Sequence, residues 1–86
     1  MATKIYDRYS NVTWYKCICT ETTTVIDMHR ECIIYKDLIY KVRKGTKDDA
    51  VVSGRVGGYY PNGDEYSTAE EIFVPKELCR KIFQYI

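Results

Sequence analysis

The sequence predicts a β-rich α+β fold: a bent antiparallel sheet, or a small SH3-like barrel, of about four to six strands, with one C-terminal amphipathic helix. Three observations predict it. β-Branched and aromatic residues dominate residues 5–60. The turn motif PNGD at residues 61–64 lies between two such stretches. Residues 75–86 carry apolar side chains at helical spacing.

The chain has the size of one domain, residues 1–86, and contains no linker or internal repeat. Thirteen Lys and Arg against twelve Asp and Glu give a formal charge of +1, which argues against a surface built to neutralise many phosphates. The first residues carry spaced charges, and no stretch approaches the roughly 20 apolar residues of a membrane helix. We therefore expect a cytoplasmic protein with reduced thiols and no membrane partner.

The first third of the chain predicts strands. Residues 5–9 indicate a short edge strand. In residues 12–20 (VTWYKCICT) neither of the two sets of alternate residues is clearly polar, which is typical of a central strand covered on both faces. Residues 22–28 (TTTVIDM) continue in the same style after a short break at Glu21. We expect the last two segments to pair as a hairpin.

The next segment, residues 32–43 (CIIYKDLIYKVR), alternates in its second half. Leu38, Tyr40 and Val42 share one parity, so we expect them to face the core. The dipeptide at residues 36–37 is either a tight turn between two strands or a bend within one. Residues 44–49 form a loop by composition, since they are polar with one glycine.

The clearest local prediction is a hairpin around the PNGD turn. Residues 50–60 (AVVSGRVGGYY) read as a strand interrupted by Gly54, Gly57 and Gly58. Glycines inside a strand mark a bulge, a bend or a close backbone approach. We expect this strand to pair with residues 65–74.

The C-terminal segment predicts a strand over residues 71–74 and then a helix from Pro75 to Ile86. The apolar stripe of that helix is Leu78, Cys79, Ile82, Phe83 and Ile86. An alternative helix begins at Ser67, because Ser67-Thr68-Ala69-Glu70 has the spacing of a capping box. That helix would contain Pro75 at a cost of about 3 kcal/mol, so we favour the order strand, proline, helix.

Four residues of the types that bind zinc lie close in sequence and form a candidate zinc site: Cys17, Cys19, His29 and Cys32. In a regular strand the first two stand about 6.6 Å apart, whereas tetrahedral zinc needs sulfurs about 3.8 Å apart. Buried hydrophobic cysteines are therefore the favoured interpretation. Cys32 with His29 as its base lacks an orienting acid, so we predict no catalytic residues, no cofactor and no enzyme.

The residues around the PNGD turn form the favoured binding surface. Aromatic faces, a guanidinium and small residues that admit another backbone are typical of recognition surfaces. The predicted binding residues are Arg55, Tyr59, Tyr60, Asn62 and Tyr66. In the alternative interpretation, the hairpin is merely bent and its tyrosines pack against it.

A basic run supports a second function, because alternating cations on a strand face can follow a phosphate backbone. The residues of this basic strip are Lys36, Lys41, Arg43 and Lys44. Replacement of Lys41 and Arg43 by Glu should abolish nucleic-acid binding and leave hairpin binding intact.

We therefore expect a small non-enzymatic binding protein that contacts a protein partner or sequesters a small ligand through the tyrosine-rich hairpin. The alternative is a nucleic-acid-associated regulator that uses the basic strip. A short β-rich chain without catalytic motifs is similar in style to accessory and inhibitor proteins of phages and other mobile elements. Strand edges that are expected to be exposed, and Ile39 on the strand face that also carries Lys41 and Arg43, make a homodimer a further expectation.

Overall fold

Residues 3–86 fold into eight strands and one short helix. The structure is a computed structural model that describes residues 3–86. The elements are β1 (Lys4–Asp7), β2 (Val12–Cys19), β3 (Thr23–Asp27), β4 (Arg30–Ile34), β5 (Ile39–Lys44), β6 (Asp49–Tyr59), β7 (Glu65–Pro75), α1 (Lys76–Ile82) and β8 (Phe83–Tyr85).

The longest feature is the antiparallel hairpin of β6 and β7, which confirms the pairing expected around the PNGD turn. It runs in continuous register from Asp49 opposite Pro75 to Tyr59 opposite Glu65. On its other edge β6 pairs first with β5 and then with β4. The helix expected from Ser67 as an alternative is wrong, because residues 67–74 lie within β7 and pair with β6.

The second central strand is β2, as predicted from residues 12–20, in which neither set of alternate residues is clearly polar. One edge pairs with β5, and the other pairs with β1 and then with β8. The hairpin expected between residues 12–20 and 22–28 is wrong, because β3 pairs with β4. The chain reverses at Met28 and His29, whose φ angles are 49° and 67°, and not at the residues around Glu21, which are poor turn formers.

Alternate residues of the strands point to two faces of the sheet. The inner face carries the core, and α1 covers part of it. The core residues are Cys17, Cys19, Val25, Cys32, Ile34, Tyr40, Val42, Ala50, Val52, Val56, Ile72, Val74, Ile82 and Phe83. Tyr40 and Val42 thus face the core as predicted, whereas Leu38 precedes β5 and is 37% exposed. The dipeptide at residues 36–37 proves to be a turn, with Asp37 at a φ of 71°.

The predicted helix is present but begins at Lys76, one residue after the predicted start at Pro75, and it ends at Ile82 and does not reach Ile86. Phe83 adopts extended backbone geometry and opens β8, which pairs with Cys19 and its neighbours on β2. This pairing satisfies backbone groups along the edge of β2 that a longer helix would leave open. The ring of Phe83 packs edge-on against Tyr40 at a centroid distance of 5.5 Å.

The structure confirms a β-rich antiparallel fold with one C-terminal helix. The eight strands of residues 3–86 exceed the four to six expected, and the sheet is open, so the expected SH3-like barrel is not confirmed. β1 corresponds to the short edge strand expected at residues 5–9, whereas β8, which lies along the same edge of β2, was not expected. At one end β3 lies against β7, where the buried carboxylate of Asp27 accepts a hydrogen bond from the Phe73 N–H at 3.3 Å. Within residues 3–86, no helix has the length and apolar character needed to cross a bilayer.

Candidate functional site

The end of the β6–β7 hairpin carries a cluster of tyrosines on two glycines. Tyr66 lies over Gly58, where an added Cβ would stand 2.6 Å from the phenol oxygen. The rings of Tyr66 and Tyr60 pack at 4.9 Å between centroids. Only a residue without a side chain admits a ring this close to the backbone, so Gly58 allows Tyr66 to lie here, and Tyr60 packs against Tyr66.

Tyr35 covers the neighbouring glycine, which the sequence analysis did not anticipate. An added Cβ at Gly57 would lie 1.7 Å from the Tyr35 phenol oxygen. That hydroxyl donates a hydrogen bond to Glu65 at 3.3 Å. Burial and the nearby Glu65 carboxylate raise the pKa of the Tyr35 phenol above its ordinary value of 10.0. Gly57 and Gly58 indicated that another part of the chain comes close to this strand. Residues 35 and 57 are too distant in sequence for their spacing to identify Tyr35 as that part.

The turn itself is held by local hydrogen bonds. Gly63 donates its N–H to the Tyr60 carbonyl at 2.8 Å, and Tyr60 donates to the Asp64 carbonyl at 2.8 Å. The side chain of Asn62 accepts from the Asp64 N–H at 3.0 Å and donates to the Asp64 carboxylate at 3.1 Å. In this structure Asn62 therefore shapes the turn with its polar groups already occupied.

Two tyrosines at this end remain largely open to solvent. Tyr59 is 60% exposed and Tyr60 is 55% exposed. Asp64 and Glu65 are exposed beside them, which gives the end of the hairpin an acidic and aromatic character. We call Tyr59, Tyr60, Asp64 and Glu65 the hairpin tip. Aromatic faces beside carboxylates can hold a lysine or arginine side chain from a partner.

Arg55 lies outside the hairpin tip. It precedes Tyr59 by four residues, about 13 Å along an extended strand. Its guanidinium contacts the backbone carbonyl and the hydroxyl of Ser67, each at 3.4 Å. The structure thus brings Tyr59, Tyr60, Asn62 and Tyr66 to one end of the hairpin and leaves Arg55 on the strand below.

The four residues of the basic strip do not share one surface. Lys41 and Arg43 lie on the outer face, 5.1 and 5.2 Å from the Trp14 ring, which is 4% exposed. Lys44 has the opposite parity at the end of β5, and Lys36 lies in the turn before that strand. Tracking of a phosphate backbone needs aligned cations, so this arrangement offers less than the sequence pattern suggested.

The cysteine and histidine residues considered for zinc are not brought together. Cys17, Cys19 and Cys32 are buried, whereas His29 is exposed in the β3–β4 turn. Among residues 3–86 no three metal-ligating side chains of His, Cys, Asp or Glu converge. Burial raises the pKa of the thiols, to about 11 for Cys17, which keeps them protonated at neutral pH.

The exposed side chain of Ile39, expected at a dimer contact, lies on the outer face and is 46% accessible. Its role in association stays a prediction. Comparison with known proteins adds no assignment to this geometry: no protein-family model matches the chain, and neither a curated protein nor a solved structure matches it.

Proposed function

We propose that the protein is a non-enzymatic binding protein that contacts a protein partner through its hairpin tip. One observation carries the proposal: two tyrosines, 60% and 55% exposed, lie together at the end of the β6–β7 hairpin, and one of them, Tyr60, packs against Tyr66. Tyrosine is enriched at interface hot spots because its large, rigid body combines apolar area with a polar end.

The packing of the Tyr60 ring supports tight recognition. Tyr60 packs on Tyr66, which rests on Gly58, and the turn is closed by hydrogen bonds through Asn62 and Asp64. A surface that is already ordered loses little conformational entropy on binding, so more of the contact energy appears as affinity.

The shape and charge of the tip define the partner. The tip is the turn end of a hairpin, and neither cavity described for the protein includes its residues, so a macromolecule suits it better than a small ligand. Asp64 and Glu65 beside two exposed rings favour a partner surface with arginine or lysine side chains. The divided basic strip supports nucleic-acid binding less well.

Site-specific photocrosslinking tests the proposal. A photoreactive phenylalanine analogue at position 60 should crosslink one defined protein in a lysate of the source cells, and the same analogue at Tyr9 should not. Tyr9 is the matched control because it is fully exposed and lies between β1 and β2, away from the hairpin.

The captured protein must also depend on the tip. Tyr59→Ala and Tyr60→Ala should each weaken its binding by about tenfold or more, which corresponds to about 1.4 kcal/mol. Tyr9→Ala should leave binding unchanged. Equal capture by positions 60 and 9, or unchanged binding after both tip substitutions, would overturn the proposal. An inhibitory role, as in mobile-element proteins, would appear as loss of the partner's activity with wild type and retention with Tyr60→Ala.

A further inference from the structure

A cleft lies at the opposite end of the β6–β7 hairpin, between α1 and the inner face of β2, β5 and β8. Its volume is about 620 Å³, within the range of small-molecule sites. Val42, Ala50, Cys79 and Phe83 form an apolar floor. Arg43 also lines the cleft, although it packs over Trp14 on the outer face, and the hairpin tip takes no part in it.

Two tyrosines add flat aromatic walls to this cleft. Tyr15 and Tyr85 lie edge to face at 5.9 Å between centroids, and both line the cavity. Tyr85 is 58% exposed, so a ring of a ligand can reach it from solvent. The pKa of the Cys79 thiol is raised to about 11 by burial and by the negative charge of Asp49. Cys79 is thus a neutral part of the floor at pH 7.

The rim of the cleft is cationic. Lys44 at the end of β5, Lys76 at the start of α1 and Arg80 one turn later all line it. No carboxylate is among the described residues that line this cleft. The ion pairs found within residues 3–86 join Arg30 to Asp27 and Glu70, so they leave Lys44 and Arg80 uncommitted.

We propose that this cleft binds a small organic anion with a flat apolar body and one negative group. The body would rest on the apolar floor between the tyrosines, and the negative group would contact Arg80 and Lys44 at the rim. Lys76 contributes charge while its ammonium donates to the Lys47 carbonyl at 2.8 Å. Asp48 and Glu77 line a separate depression with Lys76 and Arg80, so their carboxylates do not occupy the cleft itself.

A matched pair of fluorescent probes separates the two parts of this recognition. Anilinonaphthalene sulfonate carries a flat apolar body and one sulfonate, and N-phenylnaphthylamine is nearly the same body without charge. We expect the sulfonate probe to bind the folded protein saturably, one per chain, and more tightly than the neutral probe at low salt. Amide shifts on binding should be largest at Phe83 and Tyr85.

Arg80→Glu tests the rim, and Lys81→Glu is its control. Both positions lie in the last turn of α1, so the two substitutions change the net charge and the helix-end charge equally. Arg80→Glu should weaken the sulfonate probe at least about tenfold and leave the neutral probe within about twofold. Lys81→Glu should leave both probes within about twofold. Tyr85→Ala should weaken both, because it removes part of the aromatic wall.

Because partly unfolded proteins also bind such probes, each variant must first keep the wild-type near-ultraviolet circular dichroism. Three results would overturn the proposal: no saturable binding of the sulfonate probe to the wild type, equal weakening by Arg80→Glu and Lys81→Glu, or amide shifts confined to the hairpin tip.

Discussion

Cys17 lies at the centre of the inner face with no exposed surface. Burial, and then the nearby Cys79 thiol, raise its pKa from 9.0 to about 11. The native state therefore keeps the proton to a higher pH than the unfolded chain does. The resulting stability is fully present below pH 9 and is lost as the pH rises from about 9 to 11.

We predict that urea unfolding of the wild type loses about 1–3 kcal/mol through ionisation of Cys17 between pH 8 and pH 10.5. Cys17→Ala should be less stable at pH 8, because it leaves a cavity, and should lose less between the two pH values. Other buried phenols and thiols titrate in both proteins, so the difference between the two losses isolates Cys17. Equal losses in both proteins would contradict the assignment.

At the level of single elements, the turn between β3 and β4 is strained. Met28 and His29 both have positive φ, a conformation that side chains with a Cβ adopt at a cost of roughly 1–2 kcal/mol per residue. Met28 is 84% exposed, so no burial of its side chain compensates that cost.

We therefore predict that His29→Gly stabilises the protein by about 0.5–1 kcal/mol, despite the greater freedom of glycine in the unfolded chain. For a domain of this size the melting temperature should rise by about 2–8 °C. His29→Ala is the control, because it removes the imidazole and keeps the Cβ. If His29→Ala stabilises the protein equally, relief of backbone strain is not the cause.

The elements also show what the sequence could predict. The β6–β7 hairpin was predictable because Pro61, Asn62 and Gly63 encode its turn locally. At the β3–β4 turn the sequence indicated only a break around His29, between residues 22–28 and 32–43; that Met28 and His29 adopt positive φ there and that β3 pairs with β4 depend on the flanking strands. Phe83 fits a helical stripe and a short strand equally well, so only the open edge of β2 decides between them.

The same division applies to the candidate sites. Tyr59, Tyr60 and Tyr66 are neighbours of one turn, so spacing alone placed them together. The cleft joins Tyr15 and Tyr85, which come from opposite ends of the chain and meet because β8 pairs with β2. The spacing of residues within a segment carries no information about pairing between distant segments, so the cleft could not be predicted from the sequence.

At the scale of the whole molecule, the two proposed sites lie at opposite ends of one hairpin. Each strand of that hairpin has eleven residues, or about 35 Å if fully straight, and the molecule is 41 Å long. Tyr60 belongs to one end, and Arg80 lies beside the other. Substitutions separated by more than about 10 Å with no shared partner usually act independently.

We expect the two ends to be uncoupled. Tyr60→Ala should leave binding of the sulfonate probe within about twofold, and Arg80→Glu should leave crosslinking from position 60 unchanged. The double variant should change the free energy of unfolding by the sum of the single changes, within about 0.5 kcal/mol. A larger deviation would mean that β6, which is paired along both edges, transmits strain between the ends, and the two sites would then have to be treated as one coupled system.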